Sequence, residues 1–271
     1  MLCQLKIDGA PFEFDLQGDF FWGQDEVLFR EGNNAIADTP WIRQGYTVIP
    51  LFEPGELKAL SDGTRDVVRE LLSKSGGSAP ADFTLEDYHL YALDDALHRS
   101  VVDKSRWLSF RDFHMDAAKV CERISRCLGR TAHTTNPKLN RDVVILRISR
   151  PGKLDINPPH RDGYLDIWKD TVNLWLPIAG CNDKTSLPII PGSHYWNEKD
   201  VQRTANGQAK IGGVPYSVPG IVDSKHGLNM IRPNPQPGQA LVFTPFIVHG
   251  AAVNRSEKTR MSFELRLHVG E

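Results

Sequence analysis

The amino-acid sequence predicts a mainly β protein with flanking helices, a single domain built on an antiparallel sandwich or barrel. Three observations carry this. From Asp142 onward, short apolar runs are separated by Pro and Gly, the rhythm of strands in such a fold. Ahead of them lie two stretches with apolar residues at helical spacing. No Ser/Gly/Pro-rich linker divides the 271 residues, and all-β units reach roughly 200–250 residues as one domain.

The elements follow in order. Leu5-Lys6-Ile7 and Phe12-Glu13-Phe14 alternate around Asp8-Gly9, a residue pair suited to a tight hairpin turn, so residues 1–44 read as a hairpin and extension. Gly45-Tyr46-Thr47-Val48-Ile49-Pro50-Leu51 predicts a strand, and Pro54, well placed at a first helical position, opens a helix through about Leu72. A second helix is expected from Phe110 to Leu128, where Ala117, Val120, Cys121, Ile124 and Leu128 share one face. Strands are then expected at Val143 to Ile148, Val172 to Ile178, Leu187 to Ile190, Ala240 to Phe243, Ile247 to Val253 and Met261 to Val269. Residues 195–237 are rich in Asn, Gly, Pro and Lys and too long for an ordinary connection, which suggests an active-site cover.

Composition narrows the function classes. A net charge of −2 provides no basic field for a nucleic-acid backbone, so the expected partner is a small molecule and not a nucleic acid. The N-terminal residues lack the basic start and apolar run of a signal peptide, and no apolar stretch approaches the ~18 residues of a membrane helix, so a cytoplasmic protein without a membrane partner is expected. Cys3, Cys121, Cys127 and Cys181 are scattered, which suggests neither a disulfide scaffold nor a thiolate zinc site.

Among nine histidines, His160-Arg161-Asp162 stands out. In extended backbone, positions i and i+2 project to the same face, so an imidazole and a carboxylate there reach one ion together. His249 closes a later apolar run and supplies a third ligand. Two histidines and one carboxylate on one triangular face leave positions open for a bidentate oxoacid and dioxygen, which suits iron(II). His114-Met115-Asp116 has the same spacing but falls in the expected second helix, where i and i+2 diverge, and is rejected. A His-x-Asp triplet alone is common by chance, and a lone His is more often a hydrogen-bonded structural residue. The residues after His249 add weight: Arg260 and Ser262 share a strand face, and a guanidinium fork beside a hydroxyl suits the far carboxylate of 2-oxoglutarate. The plainer reading of that pair is a surface charge and an ordinary polar position on a terminal strand. His194, in Pro191-Gly192-Ser193-His194, reads as a structural residue after a turn.

From Gly45 to Arg266 the chain resembles the phytanoyl-CoA dioxygenase-like family of iron(II)/2-oxoglutarate oxygenases. The resemblance rests on Gly45-Tyr46-Thr47-Val48-Ile49, His160-Arg161-Asp162-Gly163-Tyr164, Asn173-Leu174-Trp175-Leu176-Pro177-Ile178, Leu187-Pro188-Ile189-Ile190-Pro191-Gly192-Ser193-His194, and His249 followed by Arg260. It implies a double-stranded β-helix, a jelly-roll or cupin-like barrel, with helices packed on one sheet. It also implies Trp175 beside the oxoacid and Arg147, on the strand before the metal loop, as a weaker contact. Ala251 departs from relatives that carry a serine near the oxoacid. Asp162 disfavours halogenation, because halogenating relatives replace this carboxylate. The implied chemistry is oxidative decarboxylation of 2-oxoglutarate by O2 to succinate and CO2, coupled to hydroxylation of an unactivated C–H bond; desaturation and cyclisation stay open.

Substrate identity rests on the cover segment, where Arg203, Lys210, Tyr216, Lys225, His226, Asn229 and Arg232 suit an anionic or hydroxyl-rich molecule or form a solvated face. The expectation is a small polar metabolite such as a sugar, amino acid or phosphonate. Two other classes use the same triad: a zinc or manganese hydrolase, which needs no dioxygen and no Arg260, and a non-catalytic metabolite-binding barrel.

Overall fold

The computed structural model describes residues 1–32 and 34–270. β1 (Leu2–Ile7) and β2 (Ala10–Asp15) form the expected hairpin, with Asp8 and Gly9 both at positive φ in the turn. β3 (Tyr46–Pro50) follows, then α1 (Pro54–Lys74), α2 (Asp95–Ser105) and α3 (Ala117–Leu128). The second half contributes β4 (Val144–Ser149), β5 (Thr171–Ala179), β6 (Gln239–Phe243) and β7 (Arg260–Val269).

The main sheet runs β3-β6-β5-β7, with β4 alongside the first half of β7 and Ala132–His133 at its far end, all antiparallel. Strand side chains alternate between faces. Leu146, Ile148, Val172, Leu174, Leu176, Val242, Phe263 and Leu265 therefore point to one face, where Leu60, Val68, Leu72, Val101, Val120 and Ile124 of the helices cover them in a single core. Phe113 meets Phe263 edge-on at 4.6 Å between centroids. Burying each such side chain contributes roughly 1.5–3 kcal/mol, which fixes strand register because a one-residue slip would send the whole set to the wrong face. The opposite, inner face carries Trp175, Leu241 and Phe243 against Leu187, Ile189, Ile247 and Ala252.

The facing second sheet is reduced to bridges: His160 with His249, and Ile189 with both His249 and Ile231. The runs Leu187–Ile190 and Ile247–Val253 are thus not the regular strands their apolar content suggests. Pro188 and Pro191 carry no N–H, and positive φ at Gly250 (120°) and Ala251 (49°) bends the chain out of any ladder. Outside this layer, the β1–β2 hairpin packs Cys3, Leu5, Ile7 and Phe14 onto Ile190, Ile221 and Val248.

Three expectations need correction among the helices and connections. α3 begins only at Ala117, because His114 has φ 54° and Asp116 caps the helix, accepting from the N–H groups of Ala118 and Lys119. His114 and Asp116 are exposed in a turn, so the triplet His114-Met115-Asp116 fails as a site for a different reason than helical divergence. α2 is an additional helix, capped by Asp94, whose side chain accepts from Leu97 N–H at 2.7 Å. Residues 195–237 contain regular structure that their composition did not suggest: Val201–Thr204 pairs with Ile221–Ser224 and with Phe20–Trp22. No described helix is long and apolar enough to cross a membrane.

Candidate active site

The backbone itself brings the two histidines together. His160 N–H donates to His249 O at 2.9 Å and His249 N–H to His160 O at 3.0 Å, a reciprocal pair that sets the side chains next to each other. Each ring then donates Nδ1–H to the carbonyl two residues back, Pro158 O at 2.7 Å and Ile247 O at 3.0 Å, a tautomer inferred from those acceptors. Both Nε2 lone pairs are left facing the same point. Arg161 is extended, which brings Asp162 round to it: Asp162 Oδ1 lies 3.6 Å from His160 Nε2 and Oδ2 3.7 Å from His249 Nε2. One ligand atom from each of the three lies within 4.8 Å of the others, and all three residues are buried.

Asp162 is held from behind. Arg266 donates through Nε to Oδ2 and through a terminal nitrogen to Oδ1, both at 3.0 Å, and Asn173 Nδ2 donates to Oδ2 at 2.7 Å. Burial alone would raise its pKa, but Arg266 and the two imidazoles hold the carboxyl well below its ordinary range. Burial, reinforced by neighbouring His160, pushes His249 down to about 4, so its imidazole is neutral and available as a ligand near neutral pH. Arg161 turns the other way, fully buried, and donates to Glu198 and to Ser193 O; Glu198 also accepts from Arg203. That anchor pins the loop carrying both first ligands. His194 lies outside this centre, with Nε2 2.8 Å from Ile42 O.

A cavity of about 520 Å³ reaches the two histidines and is lined by Arg147, Trp175, Arg260 and Glu264 in its depth. Arg260 is 3% exposed, yet it meets no carboxylate among the described residues. It donates to Ser262 Oγ at 2.9 Å and Ala252 O at 3.3 Å, while its Nε has no acceptor. Burial pushes its pKa down. A desolvated guanidinium without an anion is costly, and it fits a site that takes a carboxylate from outside. Ser262 faces Arg260 within the same wall, and Arg147 stands across the strand pair from Ser262, donating to Glu264 at 2.7 Å.

The structure therefore brings His160, Asp162 and His249 together, and it groups Arg260, Ser262, Trp175 and Arg147 along the inner faces of β4, β5 and β7. Of the cover-segment residues singled out from sequence, only Tyr216 lines the cavity. Arg203 serves Glu198, and Lys225 pairs with Asp200. Asn173, Glu264 and Arg266 escaped the sequence reading. Their signal was there: polar residues at every second position of β7, and Thr171 and Asn173 at the start of the otherwise apolar β5.

A curled antiparallel sheet with two histidines and a carboxylate converging beside a cavity that reaches both histidines is a cupin-like scaffold with a candidate metal centre. The chain matches the phytanoyl-CoA dioxygenase family over residues 41–262 and belongs to that family, so it is an iron(II)/2-oxoglutarate-dependent oxygenase. No curated protein matches the sequence. Similar solved structures include AviO1 from Streptomyces viridochromogenes, at 16% identity and TM-score 0.47, covering 90% of this chain and 96% of that one. EctD from S. alaskensis with 2-oxoglutarate and 5-hydroxyectoine shows 16% identity and TM-score 0.48 over 94% of this chain and 83% of its own. The epimerase SnoN, in complex with Fe3+, alpha ketoglutarate and nogalamycin RO, shows 13% identity and TM-score 0.49 over 84% and 80%.

Proposed function

We propose that the enzyme hydroxylates an unactivated C–H bond of a small polar metabolite, with His160, Asp162 and His249 holding iron(II) and with succinate and CO2 as co-products. Arg260 and Ser262 take the far carboxylate of 2-oxoglutarate beside Trp175. When bound, the iron supplies the place where the oxoacid and O2 meet. The protein groups supply the rest. Pro158 O and Ile247 O fix the imidazole tautomers, and Arg266 and Asn173 keep Asp162 ionised and aimed.

The observation that carries this reading is Arg260, a buried cation with a vacant donor and no paired carboxylate among the described residues, placed on the cavity wall that also exposes both histidines. A hydrolase using the same triad gives that guanidinium no role. Anaerobic titration of the protein with iron(II) and 2-oxoglutarate tests it: a visible charge-transfer band at one equivalent is expected, and its absence refutes the assignment. Succinate release across a panel of sugars, amino acids and phosphonates tests the substrate class, and turnover confined to acyl thioesters would refute it.

A further inference from the structure

We propose that the substrate is an organic anion whose acid group is received by Arg147 on the cavity wall; this rests on the oxygenase reading of the same site. The inner face of β7 carries Arg260, Ser262, Glu264 and Arg266 at alternate positions, and Arg147 joins them from β4. Arg147 donates to Glu264 Oε2 at 2.7 Å, the same oxygen lies 3.7 Å from Arg266, and Arg266 holds both oxygens of Asp162. Charges alternate in sign along this chain from the cavity wall to the ligand carboxylate.

Arg147 and Arg266 share Glu264 and Asp162, Arg260 pairs with no carboxylate among the described residues, and the adjacent Arg150 is held by both Asp95 and Asp155 at 2.8 Å. Which group is left to meet a substrate follows from what each arginine is doing. Arg260 is committed to the oxoacid, and Arg266 lies behind Asp162 and does not line the cavity. Arg147 does line it, and its Nε is buried without an acceptor. Glu264 holds Arg147 on one side, and the Arg147 Nε leaves a donor for an incoming acid. The carboxylates that line the cavity, Asp103, Asp155 and Glu264, are each already paired with an arginine.

Outward from Arg147 the cavity is lined by a mixture of apolar and charged groups: Val102, Leu154 and Val214 beside Arg99, Asp103 and Arg106. The chemistry recognised is a carboxylate, phosphonate or phosphate monoester.

Phenylphosphonate is a direct probe. With Mn(II) in place of iron and saturating 2-oxoglutarate, its ³¹P relaxation reports an anion bound near the metal. Saturable enhancement is expected for phenylphosphonate and not for its neutral diethyl ester. Arg147→Met should weaken binding about tenfold or more, the loss of a hydrogen bond between charged groups, and Arg147→Lys should restore part of it. No saturable enhancement in the unaltered protein, equal enhancement by the diester, or unchanged binding in Arg147→Met overturns the proposal. A fall in 2-oxoglutarate affinity alone in Arg147→Met also overturns it and assigns Arg147 to the oxoacid. Binding of 2-oxoglutarate to the unaltered iron(II) protein is measured separately: its failure removes the oxygenase reading, whereas its success without phosphonate binding removes only this inference.

Discussion

Replacing Arg260 by methionine should push stability and ligand binding in opposite directions. In the ligand-free protein Arg260 is a buried cation with two hydrogen bonds, to Ser262 and Ala252, and no carboxylate. An unmatched buried charge costs several kcal/mol, and hydrogen bonds made by a charged group return roughly 1.5–3 kcal/mol each. Methionine fills similar volume without the charge, so the net expectation is a ligand-free protein about 1–2 kcal/mol more stable. At roughly 2–4 °C per kcal/mol for a chain of this size, its Tm rises by about 2–8 °C. Binding moves the other way. Losing the guanidinium removes charge-assisted bonds worth about 3 kcal/mol or more, so 2-oxoglutarate affinity falls at least ~100-fold. In the unaltered metal-loaded protein, 2-oxoglutarate at about one hundred times its Kd stabilises by ~2.7 kcal/mol, an upshift of roughly 5–11 °C. Thermal melts with and without 2-oxoglutarate measure both effects. A variant that melts lower without ligand and still shows the full upshift would refute the reasoning.

Three further outcomes are expected. Asn173→Ala removes the 2.7 Å bond to Asp162 Oδ2 and should weaken metal binding about 10–100-fold by calorimetry, while the circular dichroism spectrum stays unchanged. Gly250→Ala should lose about 1–3 kcal/mol in urea unfolding and weaken the metal as well: the position has φ 120°, and a Cβ there would lie 2.5 Å from Pro158 O, the acceptor that orients His160. His98 is pushed down to about 4 by burial, against the opposing pull of Asp155. Between about 6.5 and 4 the unfolded chain therefore binds a proton that the folded one refuses, and stability falls as pH drops through that window. His98→Gln should flatten the pH dependence of the urea midpoint between pH 6 and 5, and an unchanged slope would count against the burial of a neutral ring.

The strands of the main sheet were legible because each combines a β-branched or aromatic run with a hard break at both ends, and one face of each is buried under helices. The clustering of His160 with Asp162 was legible for a similar reason: the two are separated by one extended residue, so their shared direction is written into local spacing. The second sheet was not, because Leu187–Ile190 and Ile247–Val253 have strand composition but backbone angles and prolines that permit only single bridges. α2 was missed because its buried face includes His98 and Ser105 beside Val101, which hides the apolar periodicity. The start of α3 was set by the turn at His114 and by the Asp116 cap, which outweighed the apolar spacing upstream. Glu264 and Arg266 lay in plain view as alternate residues of β7. What they do depends on which charges face them across the barrel, and that is a property of three-dimensional neighbours.

The reciprocal main-chain bonds between His160 and His249 have a practical outcome for anyone preparing the protein. The polypeptide itself ties the two imidazoles together, and nitrogen and oxygen donors of this kind bind cobalt, nickel and copper more tightly than ferrous iron. The occupant of a purified sample will record the growth medium and the resin it passed over, and reconstitution under reducing, chelator-stripped conditions belongs at the start of any assay.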